Sequence, residues 1–414
     1  MTMKNFLTLD DFDLKGKKVL VRVDINSPID AVTKEITDDE RLMAHGTTTI
    51  KELSEKGARV IILSHQGRAG DSDFISLEGH ARCLSKYAGK EVKFIDAVFG
   101  KSVENAINEM RNGDIILLEN TRFYSEETLE RPPDALAHVH MVRKLAPLVD
   151  IFVNDAFGAI HRQQASLVGF GELLPTAAGR VVEKELMALN RVFDEKMKPV
   201  VFVFGGVKVD DSVKVIKNIM KNGSHEKILT GGLVANLFLV AKGYDIGSAN
   251  MEILKGKGLD KLIPAAKEII AGNGHRIETP VDLAVRDGER TEISVSELPT
   301  PLPISDIGRE TVGRYCKILE DAKTIVFSSP VGQYEDERFR YGTKRLLEFA
   351  SQLEAFKIVG GGHIAETVNS LGIRDKFDHI STGGRATLYH LSGEKTPVIT
   401  MLQKAKEKLE KQKE

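Results

Sequence analysis

In the stretch VIILSHQGR, residues 60–68, a run built for burial stops on His65 and Arg68. The same event recurs along the chain. Asp24 and Asn26 follow VLVRV, Glu119, Asn120 and Arg122 follow IILL, and Asn154 and Asp155 follow IFV, with His161 and Arg162 close behind. Arginine presents a planar fork of N–H donors that pairs with carboxylate or phosphate oxygens two at a time. Together with Arg41, these groups suit a small ligand carrying several negative charges, whose hydroxyls Asp24 and Asn26 could accept from. One polar strand exit is ordinary turn chemistry, and one arginine is ordinarily a surface ion pair; the ordered set is the signal. In the second half the exits are glycine-rich instead, reading FGGVK, TGG, SSPVG and GGGH. Glycine turns that open helices aim backbone N–H groups at phosphates, and Lys208 adds a point charge beside one of them. That half suits a polyphosphate.

Such residues converge only if the runs are neighbouring parallel strands. Short apolar runs bounded by turns, with helical patterns between them, argue for parallel strands covered on both faces. In such sheets ligands bind outside the carboxyl ends of the strands. The expected fold is α/β: two doubly wound parallel-sheet domains joined by a connecting helix, with a cleft between them. The expected divisions are a first domain over residues 1–180 and an interdomain helix over 181–198, from the helical spacing of GRVVEKELMALNRVFDEKMK. A second domain covers 199–380. A segment over 381–414 returns toward the first domain, its lysine- and glutamate-rich end a solvated helix.

The 414 residues allow two or three domains. With 42% hydrophobic and 29% charged residues, the composition is that of a soluble globular protein. A net charge of -2 argues against a nucleic-acid binder, so any anion site is local. Cys83 and Cys316 lie too far apart for a metal or redox motif. The opening MTMKNFLTLDDFDLKG has no signal-peptide core, and no apolar run approaches the ~20 residues of a membrane span. A cytoplasmic protein without membrane or nucleic-acid partners is expected. P-loop, G-x-S-x-G and H-E-x-x-H motifs are absent. VGGGHIA matches a dinucleotide fingerprint at Gly360, Gly362 and Ala365, with Asp378 near the offset of the ribose-binding acid. An NAD-dependent dehydrogenase is therefore an alternative. A non-catalytic binder of phosphorylated metabolites is another, although it would not need the glycine half.

The blocks VLVRVDINSPI, ITDDERL, SHQGR, LLENTRF, VNDAFGAIHRQQAS, FGGVKV, SPVGQYE and HISTGG, in this order, resemble the signature blocks of the phosphoglycerate kinase family across nearly the whole chain. That family transfers a phosphoryl group between 1,3-bisphosphoglycerate and ADP. The resemblance implies a phosphoglycerate site made of Asp24, Asn26, Arg41, His65, Arg68, Arg122 and Arg162, with His161 beside it. It implies that Lys208 reaches the nucleotide phosphates, that Glu335 binds the ribose, and that Gly231 and Gly232 flank the adenine. Gly360, Gly361, Gly362 and His363 would form a further nucleotide turn, and Gly383 and Gly384 would face the transferred phosphoryl. The cofactor implied is ATP or ADP with Mg²⁺ carried by the nucleotide; its protein ligands stay unassigned. The partners are these small molecules, and a monomer is favoured.

Four positions depart from the common pattern. Ser212 stands where a second lysine is frequent, with Lys214 its nearest replacement. GGGH replaces GGGD at His363, STGGR replaces STGGG at Arg385, and Ala69 stands where proline follows SH-x-GR. These resemble the archaeal-type branch. Phosphoryl transfer runs mainly on positioning and electrostatics, and a carboxylate needs no general base. Arg41 and Lys208 are the cations expected nearest the transferring group, with the N–H groups of Gly383 and Gly384 completing its cradle. Closure of the domains would bring the ligands together and exclude water. His363, a nitrogen donor ill suited to Mg²⁺, is expected to donate to a nucleotide phosphate.

Overall fold

The computed structural model describes residues 5–222 and 226–411. The described residues up to Met187, with those from Lys395 onward, form one compact unit, and Ala188–Glu394 form a second.

The first unit is built on six parallel strands, β1 (Lys18–Val23), β2 (Arg59–Leu63), β3 (Val92–Ile95), β4 (Ile115–Leu118), β5 (Ile151–Asp155) and β6 (Thr176–Ala178), in the order β3-β4-β2-β1-β5-β6. Branched side chains that alternate across the pleat fill the layer between sheet and helices. Val19, Val21 and Val23 of β1 join Val60, Ile62 and Val153 in one core, while Leu20, Ile61 and Phe152 are buried on the opposite face. Both faces are covered, which is why these runs read as continuously apolar. From β1 the chain moves out to β2 on one side and later returns to β5 on the other. The strand order thus reverses at β1, and the crevice above β1 and β5 is where such a sheet accepts a ligand.

The second unit repeats the plan. Its strands are β7 (Val200–Phe204), β8 (Glu226–Thr230), β9 (Ile277–Glu278), β10 (Asp282–Asp287), β11 (Glu289–Ser294), β12 (Ile304–Ile307), β13 (Thr324–Phe327), β14 (Phe356–Gly360) and β15 (His379–Ser381). Six are parallel in the order β15-β14-β13-β7-β8-β9, so here the reversal falls at β7, between β8 and β13. The other three form an antiparallel sheet, β11-β10-β12, that an all-parallel expectation does not contain. Its hairpin turns at Asp287-Gly288-Glu289, with Gly288 left-handed at φ +66°. An Asp-Gly pair is a strong hairpin signal in any sequence.

The divisions differ in two places from the expectation. The helix after the first sheet spans Arg180–Leu189 and gives way to 3₁₀ turns at Asn190–Phe193 and Glu195–Met197, where Asp194 accepts from the Lys196 N–H at 3.0 Å. A single helix over 181–198 is therefore not formed. Residues 381–394 stay with the second unit, because Ser381 pairs with Gly360 in the sheet and the helix Arg385–Leu391 follows at once. The return begins at Lys395, and the helix Pro397–Lys411 joins the first unit through the Val398 N–H, which donates to Ile160 O at 3.3 Å. No described helix is long and apolar enough to cross a membrane.

In the first unit the helix Glu78–Ala88 seals His80 completely, its Nε2 3.1 Å from Gln66 Oε1 and its Nδ1 without a hydrogen-bond partner among the described residues. Burial pushes the ring's pKa down to about 4. The unfolded chain therefore takes up a proton that the folded chain refuses between pH about 6.5 and 4, and stability falls as pH falls through that window. The loss at this site approaches about 3 kcal/mol at pH 4. In His80→Gln, denaturant titrations at successive pH values should show a slope of stability against pH reduced by about one proton there. An unchanged slope removes His80 from the acid response.

Candidate active site

The carboxyl ends of β1, β2, β4 and β5 carry the polar residues of the first unit into one place. Asp24, just past β1, binds Arg41 from the helix Glu40–His45, with Oδ2 2.8 Å from Nη1. Burial disfavours the charge on Asp24, but the neighbouring positive groups, Arg41 foremost, outweigh it and hold the carboxyl well below the usual range. Its Oδ1 is sealed and has no hydrogen-bond partner among the described residues. An ionised oxygen in that state is an acceptor for a ligand hydroxyl, since buried polar groups are otherwise satisfied.

The turns are stitched to one another by side-chain amides. Asn26 Oδ1 accepts from the Gly67 N–H at 2.9 Å, and Gln66 Oε1 accepts from the Ser27 N–H at 2.9 Å. Asn120 Nδ2 donates to Gln66 O at 2.7 Å, and its Oδ1 accepts from the Arg122 N–H at 3.1 Å. Arg122 Nη1 in turn donates to Gly67 O. The guanidinium of Arg122 is lowered to about 10, by burial first and then by the charges of Arg162 and Arg22, with a smaller contribution from exposed Arg68. His65 is buried and lies well below its ordinary pKa, by burial and then by Arg22. The arginines thus crowd one another. A cluster of like charges that lowers its own proton affinity stabilises an incoming polyanion.

Five participants were not singled out from the sequence. Arg22 in β1 is fully buried; its Nε donates to Ser166 Oγ at 2.7 Å, its Nη1 to Val23 O and its Nη2 to His65 Nδ1 at 2.8 Å. Glu127 holds Ser166 through both carboxylate oxygens, at 2.5 and 3.1 Å. Gln66 is the stitch just described, and Gly158 packs against the Asp24–Arg41 pair so closely that a Cβ would overlap Asp24 Oδ2. The signal for Arg22 was present: a charge inside VLVRV, where a buried strand tolerates one only with partners.

In the second unit four helices begin within five residues of a strand end: Val209–Asn222 after β7, Gly232–Ala241 after β8, Gly362–Ser370 after β14 and Arg385–Leu391 after β15. Gly206, Gly232, Gly361 and Gly384, one at each turn, have φ of +70°, +52°, +108° and +50°, left-handed values that favour glycine. The turns also touch. The Gly231 N–H donates to Phe204 O at 2.8 Å and the Gly232 N–H to Val331 O at 2.7 Å. This glycine pair therefore spends its donors on joining the exits of β7, β8 and β13. The Gly383 N–H donates to Ser381 Oγ at 3.1 Å, inside its own turn. Gly384 opens the next helix in open space, and Gly360 closes β14. Lys208 stands exposed at the head of the first helix, His363 is exposed in the first turn of the third, and Glu335 is exposed beyond β13. Lys214 is exposed further along the first helix. Asp378 accepts from the Lys357 N–H at 2.8 Å, where β14 and β15 begin. It lies at the end of the strands opposite the glycine turn, so the dinucleotide fingerprint at Gly360 lacks its ribose acid.

Two parallel sheets, one ending in crowded arginines around an unpartnered carboxylate oxygen and one in glycine turns that open helices, present the groups a phosphotransferase uses. The sequence model described as phosphoglycerate kinase matches residues 9–394. A phosphoglycerate kinase of Methanothermus fervidus is 46% identical over 99% of this chain and 100% of its own length, and one of Sulfurisphaera tokodaii is 46% identical over 96% of each. The crystal structure of phosphoglycerate kinase from Pyrococcus horikoshii superposes with a TM-score of 0.88 at 40% identity, covering 97% of this chain and 100% of that one. The chain belongs to the phosphoglycerate kinase family, and these relatives are archaeal.

Gly158 has an ordinary φ, so alanine there meets no backbone penalty, and its effect isolates the contact with Asp24. Gly158→Ala should push Asp24 and Arg41 apart and weaken inorganic sulfate binding at the first unit by about tenfold, the scale of one disturbed charged hydrogen bond. NMR titration with sulfate measures it; unaltered affinity with a displaced Asp24 would show that the pair does not shape the anion site.

Proposed function

We propose that the strand exits of the first unit bind 3-phosphoglycerate and 1,3-bisphosphoglycerate, and that the glycine turns of the second bind ADP and ATP. As a member of its family the chain is a glycolytic kinase. It moves a phosphoryl group reversibly from the acyl phosphate of 1,3-bisphosphoglycerate to ADP, giving 3-phosphoglycerate and ATP. The observation that carries the site assignment is the crowding of Arg22, Arg122 and Arg162 beside Asp24, whose Oδ1 is left without a partner. Phosphate and carboxylate oxygens of the ligand meet the arginine forks, His65 and Asn26, and its hydroxyl donates to Asp24. In transfer the bond from the carboxylate oxygen to phosphorus breaks as a β-phosphate oxygen of ADP forms the new one. Both oxygens are already anionic, so no proton has to be moved at the reacting atoms and no general base is needed. Catalysis then rests on positioning and on cations that meet developing charge. Arg41 fills that role for the transferring group, and Lys208 and the Gly384 turn fill it for the nucleotide phosphates.

The donors at the glycine turns, Lys208 and the ring of His363 with the backbone N–H groups, fit phosphate oxygens. Mg²⁺, a hard cation that prefers oxygen, enters with the nucleotide and screens its phosphate charge. His363 donates to a nucleotide phosphate and Glu335 accepts from the ribose. The chain acts in the cytoplasm, a reading supported by two distant free cysteines that require no oxidising compartment. It acts as a monomer, the simplest form in which one chain supplies both sites. A coupled assay of ATP-dependent phosphorylation of 3-phosphoglycerate, run beside an NAD-reduction assay, tests the whole reading: activity in the second and not the first overturns it.

Arg41→Ala should lower kcat by about 100-fold or more while nucleotide affinity stays within about twofold. Steady-state kinetics decide the point: a raised KM at full kcat makes Arg41 a ground-state binder only. Lys208→Ala should weaken ADP and ATP binding by about tenfold and leave 3-phosphoglycerate binding unchanged. Calorimetry that finds equal nucleotide affinity in the variant removes Lys208 from the nucleotide site. The same titration on His363→Ala should show weakened nucleotide, with the Mg²⁺ dependence of the rate unmoved at saturating nucleotide; a shifted Mg²⁺ dependence makes His363 a metal ligand.

A further inference from the structure

A guanidinium has only N–H groups to offer and no lone pair to accept with. Arg22 Nη2 lies 2.8 Å from His65 Nδ1, and both side chains are buried. Nδ1 must therefore present its lone pair, which leaves the ring neutral with its single proton on Nε2. Among the described residues the ring's one hydrogen bond is the one at Nδ1. Arg22 cannot turn away, because its other donors are held. Nε is fixed to Ser166 Oγ at 2.7 Å and Nη1 to Val23 O, while Ser166 is clamped by both oxygens of Glu127, whose Oε1 is also 3.8 Å from Nη2. The charged groups that face His65 are Arg22, Asp24, Arg122 and Arg162. Three of the four are cations, and burial acts with them to keep the ring unprotonated.

We propose that Arg22 is a positioning residue that locks His65 in the Nε2–H tautomer and thereby makes it a neutral hydrogen-bond donor to the anionic ligand of the first unit. The tautomer lock stands on the geometry alone; the donor role rests on the phosphoglycerate reading above. The arrangement separates two duties that one histidine cannot otherwise combine. An imidazolium donates but titrates near neutral pH, and a free neutral imidazole exchanges tautomers and donates from Nε2 only part of the time. Held by Arg22, the ring donates at one fixed atom across the pH range in which the enzyme works, and it cannot take up a proton from the acyl phosphate or its product. Glu127 and Ser166 act through Arg22 in the same way.

The test uses the full chain labelled with ¹⁵N-histidine. Long-range ¹H–¹⁵N correlations should show His65 in the Nε2–H form with no titration between pH about 6 and 8, and addition of 3-phosphoglycerate should shift its Nε2 signals. In Arg22→Met, which keeps the length and removes the donors, the ring should populate the second tautomer and begin to titrate. The Kd for 3-phosphoglycerate should then rise by about tenfold and become pH-dependent in that window. Because Arg22→Met leaves Glu127 buried without its cation, Arg22→Met combined with Glu127→Gln serves where the single variant does not fold. A wild-type ring in the Nδ1–H or doubly protonated form, or a tautomer that survives the loss of Arg22, overturns the lock. A ring in the Nε2–H form whose signals ignore 3-phosphoglycerate overturns the donor role and with it the ligand assignment, and leaves the lock intact.

Discussion

Asp155, sealed at the last position of β5, is the joint on which the first unit is assembled. Its Oδ2 lies 2.8 Å from His45 Nδ1, and its Oδ1 accepts from the Val181 and Val182 N–H groups at 2.9 and 3.1 Å. One carboxylate thus caps the helix Arg180–Leu189, whose first N–H groups would otherwise be orphans, and pins the helix that carries Arg41 one turn before His45. Gly179 lies so close that a Cβ there would strike the Asp155 side chain. The strand exit is polar because it has three things to hold at once, and the anion site inherits its geometry from that. Arg180 completes the joint from the outside, bound to Glu52, Asp10 and Glu183 at 2.6 to 2.9 Å. Partly exposed ion pairs of this kind are worth little singly; their effect here is to fix where the helix starts.

The two units solve one problem with opposite means. The first meets charge with side chains, which brings a cost: arginines brought together repel. Asp24 and Glu127 offset part of that repulsion, and the amide stitching of Asn26, Gln66 and Asn120 holds the turns so that the forks cannot spread apart. The second meets charge with the backbone. Glycine turns carry no net charge and suffer no repulsion, and dipoles of four helix starts sum at the same end of the sheet. A compact ligand with few atoms needs the directional forks of the first kind. A long polyphosphate can lie along several turns of the second kind.

Eight strands were legible because each is a run of branched apolar residues that ends on something polar, and the polar endings were legible as sites for the same reason. The remaining strands were hidden by their chemistry. β6 is Thr-Ala-Ala, β9 is two residues long, and β15 is His-Ile-Ser, so none has a period to read. The hairpin of β10 and β11 carried an Asp-Gly turn, but β11 reads ERTEIS, polar at most positions and exposed on one side. The site was half visible. Arg41 pairs with Asp24, and His65, Arg68, Arg122 and Arg162 gather around one another past the strand ends. Arg22 was not singled out because its justification lies 144 residues away at Ser166, and only the fold brings that hydroxyl to it. Gly231, Gly232 and Gly383 were legible as special, but a sequence shows that a glycine is needed without showing that its N–H is already taken inside the protein, as all three are.

The departures from the common pattern follow the same logic of where a charge can be held. Ser212 is buried, and its hydroxyl folds back onto Lys208 O at 3.1 Å, a bond within the helix. That position faces the core and brings no cation to the turn. Arg385, from the turn after β15, instead places its Nε 2.9 Å from Asp211, one residue before Ser212 on the same helix. A positive group therefore stands beside the first turn of the helix Val209–Asn222 although no lysine follows Lys208 at the fourth position. The helix dipole does not forbid this, because Asp210 and Asp211 already supply the negative charge that a helix start favours, and the arginine pairs with one of them. With Asp211 answered by Arg385, Lys208 makes no ion pair among the described residues. The cation beside the glycine turn is then available to the phosphates proposed to bind there.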